Sequence, residues 1–147
     1  MHRSPFVALS VAAALGLAGC DPGIGASGTV TVDEAVATKW PHKTVRVFLA
    51  EKRADGAWQI WDDLGTGPTD ARTIEFRSSR IGCTHERPQV IAWIDPYGGL
   101  PPEPYSEVRI PAADPFAASK PLPFERGLLR RCYAGHADGV QLTLRAP

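Results

Sequence analysis

Thr44-Val45-Arg46-Val47-Phe48-Leu49-Ala50-Glu51-Lys52, then Arg53-Ala54-Asp55-Gly56, then Ala57-Trp58-Gln59-Ile60-Trp61-Asp62-Asp63-Leu64, is the stretch that sets the fold class. In the first run Val45, Val47 and Leu49 share one side of a period-two chain, the spacing of a half-buried strand. In the second, Trp58 and Ile60 share one side and Gln59 and Trp61 the other. Between the runs, Asp55-Gly56 is a hairpin signal, because glycine adopts the positive φ of a tight turn without a Cβ penalty. The stretch therefore predicts an antiparallel hairpin.

Outward from the hairpin the same grammar repeats. Gly28 to Val36 turns Val30 and Val32 inward, and Thr73 to Ser78 alternates Ile74 and Phe76 with polar neighbours. Gln89 to Asp95 carries Val90, Ile91, Ala92, Trp93 and Ile94 without interruption, which predicts a central strand covered on both faces or one covered on its outer face by a long loop. Tyr105 to Ile110 and Gly139 to Arg145 complete seven runs, the last with Val140, Leu142 and Leu144 on one side. No stretch holds a helical period over three turns, and the 14 prolines and 14 glycines favour turns over long helices. The expectation is an all-β chain: a single antiparallel β-sandwich of about seven strands.

Pro111 to Asp138 is expected to be a long connection with a short helix or strand between Phe124 and Tyr133. So long an irregular segment in a small domain needs a staple.

The N-terminal end carries a different message. Met1-His2-Arg3 is basic, Phe6 to Leu17 is apolar but shorter than the ~20 residues of a membrane span, and Leu17-Ala18-Gly19-Cys20 closes the segment. This pattern resembles a bacterial lipoprotein signal. The resemblance implies lipidation of Cys20, removal of residues 1–19, and a tether over 20–27 leading into a sandwich domain over 28–147. More than one acyl chain would hold the protein firmly at a membrane. Asp21, in enteric-type sorting, would favour the inner membrane. The implied address is the bacterial cell envelope, facing the periplasm or the exterior.

Removing 19 of the 147 residues leaves 128, enough for one core of ordinary domain size. The 16 basic and 16 acidic residues balance, and loss of Arg3 with the signal leaves the remainder near −1. No clustered basic footprint for nucleic acid is present. With Cys20 assigned to lipid, Cys83 and Cys132 are an even pair in an oxidising compartment, and a disulfide is expected to supply the staple.

Several of the runs, Gly28-Thr29-Val30, Val45 to Leu49, Ile74-Glu75-Phe76, Ala92-Trp93-Ile94-Asp95 and Val140 to Leu144, are similar to prealbumin-like (transthyretin-like) and other immunoglobulin-like modules of bacterial surface proteins. Some prealbumin-like enzymes hold ferric iron with two tyrosines and two histidines. Tyr97, Tyr105, Tyr133, His85 and His136 supply the residue types, but the closely spaced histidine pair of the intradiol dioxygenases is missing, as is the C-terminal signature of the hydroxyisourate hydrolases.

Candidate chemistry is sparse. Cys83, His85, Cys132 and His136 offer four metal-ligating groups at spacings that match no zinc or copper motif, and a disulfide would remove both sulfurs. The serines lack a nucleophile elbow. Asp62, Asp63 and Asp95 stand at strand ends without the regular alternation of a calcium loop. Trp61, Tyr97 and Tyr105 are the best binding candidates, an aromatic platform for sugar rings or a partner protein. The sequence thus points to a non-catalytic binding or envelope-assembly protein. It has no cofactor, a lipid-held membrane contact and an envelope protein or glycan as partner; a carbohydrate-binding module and a Cys/His metal-binding protein are the alternatives.

Overall fold

The computed structural model describes residues 22–100, 102, 103, 105–127 and 131–147. Cys20, Asp21 and the signal segment lie outside the described residues. Nine strands are named: β1 Gly23–Val32, β2 Thr44–Lys52, β3 Trp58–Pro68, β4 Thr73–Ile81, β5 Gln89–Ile94, β6 Glu107–Val108, β7 Phe116–Ala118, β8 Glu125–Arg126 and β9 Tyr133–Leu144. They form a four-stranded sheet in the order β4-β1-β9-β8 and a five-stranded sheet in the order β6-β3-β2-β5-β7. The two sheets pack as a sandwich around one core, as the alternating runs predict.

The hairpin forms as read. Strands β2 and β3 pair antiparallel from Lys52↔Trp58 to Thr44↔Pro68. In the turn, Gly56 sits at φ 86°, and the Arg53 N–H donates to Ala57 O at 2.8 Å. Asp55 Oδ1 accepts from the Ala57 N–H at 3.0 Å, so the aspartate fixes the turn through its side chain. Register shifts between Val47 and Phe48 and between Leu49 and Ala50 mark two bulges in the pair. Bulges change which face a side chain meets. Here Ile60 lies on the outer face, Trp61 and Leu64 lie in the inner core, and Asp63 meets Arg46 on the outer face.

Three departures from the expected fold stand out. β1 begins at Gly23, inside the expected tether of residues 20–27, and pairs with β4 from Gly23↔Ile81 onward. Ile24 and Ala26 are buried there, but the surrounding glycines hide the alternation. Those glycines have a steric reason. A Cβ on Gly25 would lie 2.5 Å from His136 Nδ1, and one on Gly28, at the bulge between β1 and β9, would lie 1.8 Å from Val140 O.

The second departure is the β1–β9 pairing, which is parallel (Ile24↔Gly135 to Val32↔Leu144), so the sandwich is not wholly antiparallel. A parallel pair needs a long crossover, and here the rest of the domain serves as one. The third is a helix, α1 Glu34–Lys39, in place of the end of the first expected run. Its six residues are too few to show a period; Val36 is its buried anchor, and Glu34 and Lys39 stand at the ends of the helix dipole that suit their charges.

The five-stranded sheet is covered on both faces. Val45, Val47, Leu49, Val90 and Ala92 enter the main core. On the reverse, Phe48, Ala50, Trp58, Ile60 and Ile91 form a second cluster against Tyr97, Val108, Ile110 and Phe116. Tyr97, Val108, Ile110 and Phe116 thus cover the outer face, which is why β5 is apolar without interruption. The expected long connection after Pro111 is partly ordered into β7, β8 and the start of β9. Cys83 and Cys132 form the staple, a disulfide with Cα atoms 5.6 Å apart between residues 49 positions apart in sequence. Beside it Thr84 and Tyr133 exchange backbone hydrogen bonds, each 2.8 Å.

Candidate functional site

Strand β3 does place Trp61 on the side opposite Trp58 and Ile60, but that side is the interior. The indole is 7% exposed, which corrects the expectation of a solvent-facing platform at Trp61. Its Nε1 donates to Glu51 Oε2 at 2.9 Å, and the same oxygen accepts from the backbone N–H of His85 at 3.2 Å. Glu51, itself 5% exposed, is the inward-facing end of the Val45-Val47-Leu49 series. The rings of His85 and Tyr105 approach Trp61 edge-on, with centroids 5.5 and 5.1 Å away.

Tyr97 and Tyr105 do not share a surface with a stacked Trp61. Tyr97 is half-buried on the outer face, edge-on to Phe48 at 6.1 Å, with its hydroxyl 3.4 Å from Ser106 Oγ. Tyr105, at φ 64°, is 54% exposed and is the only one of the three with an open face. Its backbone N–H donates to Ile60 O at 3.1 Å, and this contact holds the loop against β3.

The Cys/His set is separated by the disulfide. Both sulfurs are bonded to each other, His85 lies against Trp61, and His136 Nε2 is 2.9 Å from Asp138 Oδ1. Among the described residues no three His, Cys, Asp or Glu side chains gather as a metal-holding group. The aspartates at strand ends serve other partners. Asp62 Oδ2 accepts from Ser78 Oγ at 2.8 Å. Asp63 and Asp95 flank Arg46, a 5% exposed arginine that the sequence reading did not single out.

Arg46 Nη1 donates to Asp63 Oδ2 at 2.6 Å, and its Nε lies 3.5 Å from Asp95 Oδ1. Asp95 also accepts the backbone N–H groups of Tyr97 at 2.8 Å and Gly99 at 2.6 Å. Burial pushes the Asp95 carboxyl upward, but the two N–H groups and Arg46 outweigh it and hold the group below its ordinary value. Burial likewise opposes the Arg46 charge, and the two aspartates outweigh it, so its pKa is raised. The triad pins the Pro96–Leu100 turn to the sheet; the available signal was an arginine inside an apolar strand with aspartates at the ends of its neighbours.

A hollow of about 430 Å³ lies at the other side of the outer-face cluster. Trp58, Ile110 and Phe116 line its apolar part, and Lys52 and Arg145 stand on its rim. These residues come from three distant parts of the chain, so no motif could reveal them.

No family model, no curated protein and no solved structure matches the chain.

Proposed function

We propose that the protein is a lipid-anchored lipoprotein of the bacterial envelope, facing the periplasm or the exterior, with a non-catalytic binding or assembly role. The observation that carries this reading is Leu17-Ala18-Gly19-Cys20 at the end of a short apolar segment. The Cys83–Cys132 disulfide supports it, because such a bond persists in oxidising compartments. So does the buried Trp61–Glu51 pair and the Arg46 triad: the polar groups that sequence reasoning could have taken for chemistry are used to fix the fold.

Three residue steps separate Cys20 from the first paired residue, Gly23, a reach of at most about 11 Å. The domain of the anchored protein would stand directly on the membrane, and its partner would be found there. Metabolic labelling with a clickable fatty acid tests the reading. Label on the wild type, lost in Cys20→Ala together with membrane fractionation, is the expected result; an unlabelled wild-type chain in the soluble fraction would overturn it.

A second reading, a glycan-binding module, is favoured by the hollow beside Trp58, whose apolar floor and cationic rim suit a polar ring better than a flat protein surface.

A further inference from the structure

We infer that the hollow over Trp58 and Phe116 is a binding site for an acidic sugar unit, its ring on the apolar floor and its carboxylate between Lys52 and Arg145. The inference rests on the reading of this domain as a binding module and is independent of whether Cys20 is lipidated.

The floor is built by packing rather than by chance exposure. Trp58 and Phe116 lie with ring centroids 5.8 Å apart at 51°, and Ile110 packs beside them as part of the outer-face cluster. Phe116 is held from both sides, by β5 through Trp93 and by an isolated bridge to Arg145. That bridge also ties the backbone of a rim cation to the residue that forms the floor. Trp58 is itself only 5% exposed and backs the floor, so the surface offered to the C–H face of a sugar ring is that of the partly exposed Phe116 and Ile110, held rigid at little ordering cost.

The rim supplies the sign of the ligand. Lys52 and Arg145 are both exposed, and among the described residues neither is paired with a carboxylate. Lys52 Nζ lies 5.8 Å from the Trp58 ring, so its stem is drawn over the floor. The neighbouring cations are already engaged: Arg53 with Glu107 at 2.9 Å and Arg109 with Asp55 at 2.9 Å. Asp114, the carboxylate that lines the hollow, accepts from Trp93 Nε1 at 3.0 Å, which holds it in place on the β5 side. Two unpaired cations over an apolar floor fit an anion with a ring body. A neutral sugar would leave the rim charges unused.

Titration of the full mature protein with glucuronate, followed by backbone and indole amide chemical shifts, tests the site, with glucose as the neutral control. Saturable millimolar shifts centred on Gly56, Ala112 and the Trp58 indole are expected with glucuronate, with at least about tenfold weaker binding of glucose. The double variant Lys52→Gln, Arg145→Gln should weaken glucuronate by about tenfold. Both positions are exposed, and an unchanged melting temperature confirms that the variant is folded. Tyr105→Ala should leave binding unchanged. Equal affinity for glucose and glucuronate, or full retention in the double variant, would overturn the site. Saturable shifts centred on Tyr105 would overturn the hollow while the binding-module reading stands. No saturable shift with either sugar would overturn the hollow, and crosslinking in membranes would then decide the binding-module reading separately.

Discussion

Trp61 and Glu51 meet inside the sandwich, the indole N–H donating to the carboxylate at 2.9 Å, with both side chains almost fully removed from solvent. A buried carboxylate with fixed donors is stable only while those donors remain. Trp61→Phe removes one and leaves the His85 N–H as the other. The expected loss is about 2–3 kcal/mol, measured by urea unfolding, against a smaller loss for Glu51→Gln, whose amide oxygen still accepts from Trp61. Equal stability of wild type and Trp61→Phe would show that the hydrogen bond contributes nothing.

The disulfide makes a second prediction. On the chain-entropy account, closing the loop between Cys83 and Cys132, 49 positions apart, stabilises the domain by about 4 kcal/mol. The double variant Cys83→Ser, Cys132→Ser should melt about 15 °C lower than the oxidised wild type. Coincident melting curves would contradict it.

Asp95 gives a pH dependence of definite sign. Its folded pKa lies below the ordinary 3.8, so its contribution is fully present above the unfolded pKa and is lost as pH falls through the lowered folded value. Asp95→Asn should therefore cost about 3 kcal/mol at neutral pH, and the gap to wild type should close in strongly acid solution. A gap that stays constant from pH 7 to pH 2 would remove Asp95 as the titrating group.

Gly28 tests the join between the first and last strands. An alanine Cβ there would be 1.8 Å from Val140 O, a backbone atom that cannot swing aside as a flexible side chain would. Gly28→Ala should destabilise the domain by about 3 kcal/mol and speed hydrogen exchange along β9 around Val140. Gly56→Ala, at an open turn with positive φ, should cost about 1 kcal/mol and leave β9 protected.

The sandwich was readable wherever one face of a strand is dry and the other wet. Ile74 and Phe76, or Leu142 and Leu144, carry their period in their side chains, and Asp55-Gly56 names its own turn; β2, whose alternation of Val45, Val47 and Leu49 reads as half-buried, is covered on both faces. The disulfide followed from the parity of the cysteines once Cys20 was set aside. What was not readable depends on partners distant in sequence. Alternation at Gly23 to Ser27 is invisible because Gly23 and Gly25 have no side chains to alternate. Alternation is also silent about direction, so nothing in Val140 to Leu144 could say that β9 runs parallel to β1. Trp61 lies on the side of its strand that the alternation indicates, and that side faces the core rather than water. Its neighbours give the side, but only the opposite sheet gives the interior. Lys52, Trp58, Phe116 and Arg145 become neighbours only through the outer-face cluster and the Phe116–Arg145 bridge.

The early start of β1 has a mechanical meaning. In the anchored chain proposed above, any tension between the membrane and a bound partner enters the domain at Gly23, the first residue of the strand. From there it is shared between two ladders, to β4 on one side and β9 on the other. A pull along the strand axis must slide both ladders together rather than open them one hydrogen bond at a time. The strand that faces the membrane end of the chain is thus clamped on both edges, and load applied there is met by two ladders at once.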